Sequence, residues 1–160
     1  MYKSIVVIAA EIRGRGTGRI RMSRVRDVSG ESLVPFVQAA VAPGAVVHTD
    51  GWRAYNGIGK AGYDHRRKTI SASEDPAHVV MPRVHRVAAL LDRWWLGTHQ
   101  GAISPKHLDY YLDEYTFRFN RRRSKARGML FYRLLQQSVH ADPVPYKDLV
   151  DGKDRPVNKI

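Results

Sequence analysis

The chain contains no cysteine, which excludes disulfides, thiolate metal sites and thiol nucleophiles. No apolar run approaches the roughly 18 residues of a transmembrane helix. The opening run Ile5-Val6-Val7-Ile8-Ala9-Ala10 is too short, and too soon followed by charge, for a secretory signal, so it reads as a strand. The seven histidines include no His-Glu-x-x-His pair, and a zinc-protease reading fails. Gly14, Gly16 and Gly18 alternate with basic residues, yet no helical pattern follows them, so they form a turn and not a dinucleotide fingerprint. Acidic residues are scarce: 15 Asp and Glu stand against 27 Lys and Arg, a formal net charge of +12. What is present is a globular composition, 43% apolar over 160 residues, enough for one domain with its own core. The cationic excess favours a polyanionic partner, nucleic acid first and an acidic membrane surface second. The default location is cytoplasmic, at the nucleoid.

The periodicities predict an α/β chain. Ile5 to Ala10 has the pattern of a strand buried on both faces. Ile20, Met22 and Val25, spaced by arginines, suit a strand returning antiparallel to it. A helix is predicted over Ser32–Val41, with Pro35 in its first turn if Ser32 is the cap and kinking it if Ser29 is. Pro43-Gly44 stops that helix, and a strand from Ala45 to Thr49 follows. Residues 60 to 80 read as the least regular part of the chain. Further helices are predicted over Pro82–Leu96, ended by Gly97, over Pro105–Phe119 behind a Ser104 cap, and over Ala126–His140. An extended tail follows Pro145.

Three features carry candidate chemistry. Asp50 lies where a strand ends, next to Gly51; a lone Asp there is either an Asx turn or a functional carboxylate. His85 lies in the first turn of the helix from Pro82, and a lone histidine is more often structural or solvated than catalytic. The stretch from Arg118 to Arg127 holds Arg118, Arg121, Arg122, Arg123, Lys125 and Arg127 within ten residues. A charge run is usually a solvated face. This one joins two helices, is interleaved with Phe119 and Asn120, and belongs to a strongly cationic chain, so contact with a phosphate backbone is favoured. Lys60 to Lys68 is a second candidate zone of contact. Trp94, Trp95, Tyr110, Tyr111 and Tyr115 mostly follow the apolar periodicity and read as packing residues.

An ordered set of motifs carries a resemblance: Val47-His48-Thr49-Asp50-Gly51-Trp52, Val84-His85-Arg86-Val87, Leu96-Gly97-Thr98-His99-Gln100-Gly101, Ser104-Pro105-Lys106-His107-Leu108, Tyr111-Leu112-Asp113-Glu114-Tyr115, and Phe117-Arg118-Phe119-Asn120-Arg121-Arg122. Together they resemble the ISXO-like bacterial insertion-sequence transposases, from about Ile5 to Lys147. The resemblance implies a DDE-type catalytic domain with an RNase H-like mixed sheet and flanking helices. It implies two divalent metals, Mg²⁺ or Mn²⁺, held by carboxylates that activate water and then a 3′-hydroxyl for attack on phosphodiesters. Its implied partners are double-stranded DNA, as transposon ends and as target, and further copies of the chain in a synaptic complex, with no membrane. Asp50 matches the second acidic position of the family and its expected metal ligand. His85 matches the third position, where members carry Glu, His or Asn. A neutral imidazole is a poor Mg²⁺ ligand, so His85 is expected to orient water or DNA.

Two departures bear on activity. Seven positions after the third residue the family carries a DNA-contacting Lys; this chain has Asp92. The family's first Asp lies on a central strand upstream of the one matched by Ile5 to Ala10, and Glu11 does not replace it. The expectation is therefore a transposase catalytic domain over residues 1–147, incomplete at its N-terminus and inactive alone, with an extended tail over 148–160. The alternative is a non-catalytic basic remnant that contacts the DNA backbone.

Overall fold

The computed structural model describes residues 4–68 and 77–151. The architecture is mixed α/β, with small sheets and several helices. Two compact units divide the chain between Ile103 and Ser104.

In the first unit, β1 (Ile5–Arg13) and β2 (Gly16–Val25) form an antiparallel hairpin. The register pairs Ile5 with Val25 and Ala10 with Ile20, then shifts between Ala10 and Ile12. Ile20 is buried, while Ile5 to Ala10 are all half-buried and not enclosed on both faces as the unbroken apolar run predicts. β1 pairs with β2 along one edge, and among the described residues no strand pairs with its other edge. β3 (Val46–Thr49) and β4 (Asp64–Arg67) form a separate parallel ladder. Instead of one mixed sheet, the described residues form two two-stranded ladders. β4 lies inside the stretch expected to be irregular. Its sequence, Asp-His-Arg-Arg, has no apolar residue to display the period of two, and the ladder with β3 determines its conformation. The polar loop expected from Ser71 to Pro76 lies outside the described residues.

Helix α1 (Gly30–Ala40) starts from Ser29 as N-cap and carries Pro35 inside it. The choice of Ser29 over Ser32 is made by Asp27. Its Oδ1 accepts hydrogen bonds from the Ser29 amide at 3.0 Å, from the Ser29 hydroxyl, and from the Ser32 hydroxyl at 2.8 Å. The helix therefore begins early enough that Pro35 removes one interior donor. Its apolar face packs on β1 and β2 and on a 3₁₀ turn (Arg53–Gly57) after β3. Val37, Ile58 and Tyr63 are buried together, with Val34, Phe36, Val41, Ala45, Val47, Tyr55 and Ala61 packed around them. The Tyr63 hydroxyl donates to the Val41 carbonyl at 3.1 Å, so this buried phenol is satisfied.

Helix α2 (Ala77–Val80) leads into α3 (Pro82–His99), which packs on β1 through a face that buries Val87 and Leu91. Gly97 does not end α3. The helix continues to His99 and closes at Gln100, in the left-handed region with φ 51°, followed by Gly101 at φ 75°. A glycine without a neighbouring left-handed residue does not by itself stop a helix.

The second unit holds α4 (Leu108–Arg121), α5 (Gly128–Ser138) and α6 (Tyr146–Asp151). The expected start of α4 at Pro105 moves to Leu108, because residues 105–107 form a turn in which the His107 amide donates to the Ser104 carbonyl. Leu108, Leu112, Tyr115 and Phe119 form its buried stripe. The tail expected to be extended from residue 148 begins within α6. Two of the carbonyls ending α6 are bound from the turn before α4: His107 Nε2 lies 3.0 Å from the Leu149 oxygen, and Lys106 Nζ donates to the Val150 oxygen at 3.5 Å. The Lys106 ammonium suits the negative end of a helix.

Two outcomes are expected in solution. Ile58, fully enclosed, when changed to Ala should cost about 2–5 kcal/mol in urea unfolding. Its hydrogen-bonded Ser29 and Ser32 partners hold the Asp27 carboxyl far below its ordinary 3.8. A depressed carboxylate contributes stability above the ordinary value and loses it as the pH falls towards the folded one. Asp27→Ala should therefore lower the thermal midpoint at pH 7, and the gap from the parent should narrow below about pH 4.

Candidate active site around Asp50

The β3–β4 register builds the site. It pairs Val46 with Asp64, Val47 with His65, His48 with Arg66 and Thr49 with Arg67. The Lys68 amide donates to the Thr49 carbonyl at 2.8 Å, extending the ladder one step. Side chains alternate between the faces of a strand. Val47, Thr49, His65 and Arg67 therefore share one face, and Val46, His48, Asp64 and Arg66 the other, with Asp50 and Lys68 next in that second row.

On the first face Thr49 is buried, and its hydroxyl lies 2.8 Å from His65 Nε2. Burial, and secondarily the Arg67 charge, hold His65 below the usual histidine value. Both causes favour the neutral imidazole, which can donate to or accept from the Thr49 hydroxyl according to its tautomer. On the second face His48 Nδ1 is buried with no hydrogen-bond partner among the described residues.

Asp50 is exposed at the end of β3. Its Oδ1 accepts the Trp52 amide at 3.1 Å, an Asx turn. Gly51 takes φ 87°, which a side chain would resist. The Trp52 indole then donates to the Val28 carbonyl at 2.9 Å, anchoring the turn to the loop before α1. Asp50 is therefore both a turn residue and an accessible carboxylate. Tyr55 is a neighbour that the sequence does not single out: burial first, and then the Asp50 charge, push its phenol up. Thr49 and His65 are likewise absent from the sequence-derived set. His65 gives no local signal, because the carbonyls and hydroxyl it meets come from a strand sixteen residues earlier.

His85 is exposed in the first turn of α3. Arg83, two residues before it, donates from Nε to the Gly16 carbonyl at 3.1 Å and from Nη2 to the Gly14 carbonyl at 3.0 Å. This fork joins the start of α3 to the turn of the β1–β2 hairpin. Among the described residues no hydrogen bond links Asp50 to His85. Asp92 is exposed on α3, two turns beyond His85 and on the same side.

Two bridged divalent ions need several oxygen ligands, shared between them by carboxylates. Among the described residues no group of three His, Asp or Glu side chains is gathered where it could hold a metal. Asp50 is one carboxylate, with one oxygen turned to its own backbone. The described donor set does not fit a two-metal site.

The cationic stretch of the second unit divides in two. Arg118 pairs with Glu114 at 3.4 Å. The Arg121 guanidinium lies 3.8 Å over the Phe117 ring and that of Arg122 3.8 Å over Phe119. Arg122 also donates to the Phe119 carbonyl at 2.7 Å. Arg123, Lys125 and Arg127 are exposed in and beside the turn between α4 and α5. Stacking pre-organises an arginine without using all of its in-plane donors.

Residues 2–120, most of the chain, match the ISXO2-like transposase domain. The chain belongs to that family. No curated protein and no solved structure matches it. Membership of a transposase family implies interaction with DNA in general. In this transposase domain no helix among the described residues is long and apolar enough to cross a membrane.

The transposase domain should report the His65 environment directly. The His65 C2–H resonance should titrate with a midpoint below 6.5, and Arg67→Gln should move it upward. Because the folded value is depressed, stability held by the neutral ring is present above the ordinary value of 6.5 and is lost as the pH falls from there through the lower folded value.

Proposed function

We propose that the chain acts on DNA as the strand-transferring domain of an insertion-sequence transposase, with Asp50 as a carboxylate of its active centre and His85 orienting water or DNA. The family match over residues 2–120 carries this reading. Support comes from the order of elements: an antiparallel hairpin, a helix, two parallel strands and a helix with His85 in its first turn. That order suits an RNase H-like sheet in which a further strand would lie against the edges of β1 and β3 that no described strand covers. The accessible oxygen of Asp50 at a strand end suits a hard divalent cation, Mg²⁺ or Mn²⁺. Cleavage by two such ions would need carboxylates beyond those described. DNA contact is assigned to Arg118, Arg121, Arg122, Arg123, Lys125 and Arg127, and transposon ends are brought together by further copies of the chain.

One observation favours a second reading, a DNA binder without catalysis: the described residues gather no metal-binding group around Asp50. The two readings separate in one experiment. The purified chain should bind duplex DNA with an affinity that falls steeply with salt, and nicking of that DNA on addition of Mg²⁺ is expected on the first reading alone. Asp50→Ala should change the affinity by no more than about twofold, because phosphate contacts dominate it. Mg²⁺-dependent strand transfer by the parent that disappears in Asp50→Ala would establish a complete catalytic centre and end the binder reading. Absence of salt-dependent DNA binding would overturn both.

A further inference from the structure

The row of β4 lies within the cationic zone Lys60 to Lys68, and the structure shows which of its side chains share a face. Arg66 on β4 and Lys68, the residue after its end, fall two apart; continuing the alternation of the ladder, which the Lys68 amide extends by its bond to the Thr49 carbonyl, places both on the side of His48, with Asp50 next after β3 on that side. Both are exposed. Arg67 projects to the opposite face, beside Thr49 and His65, and donates to Asn56 Oδ1 at 3.2 Å. The alternation therefore selects two of three consecutive cations and aligns them with the exposed carboxylate. Residues two apart on a strand are separated by roughly 6.6 Å, comparable with the step between successive phosphates of one DNA strand. β4 is paired along one edge, by β3, and no strand among the described residues covers the other.

The charges facing this row are named readily. Asp64 Oδ2 accepts Arg66 Nε at 3.1 Å and Nη2 at 2.9 Å, and Asp50 lies at the end of the row. The Asp64–Arg66 pair is exposed, with side-chain accessibilities of 49% and 61%. Exposed pairs of this kind contribute little to stability, so Asp64 is readily exchanged for a phosphate.

We propose that Arg66 and Lys68 form a phosphate-backbone contact that seats one DNA strand alongside Asp50, in addition to the cationic stretch of the second unit. The inference rests on the DNA-directed function proposed above. Contact at this row is electrostatic and independent of base sequence. It supplies the positive charge that Asp50 lacks from its own strand, and it lowers the repulsion between that carboxylate and an approaching phosphodiester.

The test is the salt dependence of binding to a linear duplex by the full 160-residue chain. Arg66→Gln combined with Lys68→Gln should make the slope of log K against log salt shallower by about 2, one for each lost phosphate contact. Arg133→Gln combined with Lys147→Gln removes the same charge from α5 and α6 and should leave the slope unchanged. Circular dichroism of both double variants should match the parent, since all four side chains are exposed. A parental slope in the β4 variant overturns the proposal while leaving the DNA-binding function standing. An equal loss in the control variant also overturns it, by reducing the effect to net charge. A parent that shows no salt-dependent DNA binding removes the function and the contact together. A β4-dependent interaction seen with poly-glutamate but not with DNA would make the surface a site for an acidic protein and would overturn the assignment.

Discussion

Burial of Ile58 against Val37 and Tyr63 is the constraint on which the first unit depends. Each residue comes from a different segment: the 3₁₀ turn region after β3, helix α1, and the approach to β4. Their association brings the ends of β3 and β4 into register, and Tyr63 satisfies its hydroxyl on the last turn of α1. Without it, a four-residue parallel ladder whose second strand is wholly polar would have little to hold it. Apolar burial supplies that free energy in proportion to area removed from water. The Thr49–His65 pair and the Asp27 cap then select one arrangement of the segments already gathered.

Around this core the molecule uses polar groups mainly to position backbone. Asp27 decides where α1 begins, Trp52 ties the Asp50 turn to residue 28, and Arg83 ties α3 to the hairpin turn. These contacts span from a few to nearly seventy residues. Together they leave Asp50 and His85 exposed at the ends of braced elements, so that neither the carboxylate nor the imidazole is buried. The Asx turn and the functional reading of Asp50 are compatible, because a carboxylate has two oxygens and the turn uses one.

Some elements were legible in the sequence because their side chains repeat. β2, α1, α3, α4 and α5 display apolar periods that match the conformations found, and β1 an unbroken apolar run. The family was legible too, from motifs spread between Val47 and Arg122, and residues 2–120 match it. Element ends were less legible. α3 runs past Gly97 because the left-handed closure falls at Gln100, and α4 starts late because Ser104 closes a turn before the helix. The short helix Tyr146–Asp151 follows two prolines that favour extended chain, and its end is held by Lys106 and His107 rather than by local preference alone. The exposed apolar row of α5, Phe131, Leu134, Leu135 and Val139, shows that a helical period reveals a face and not what covers it.

The sequence alone determined the family, the cationic character, the absence of thiol chemistry, and Asp50 and His85 as the residues to watch. Each of these resides in residue identity and order, which need no partner to be read. Tertiary structure alone decided that Asp-His-Arg-Arg is a strand, that His65 meets Thr49, that Tyr55 neighbours Asp50, and that Arg66 falls on the face of His48 while Arg67 falls on that of Thr49. These facts depend on the register between segments distant in sequence. A strand without apolar residues records no face until a neighbouring strand supplies one.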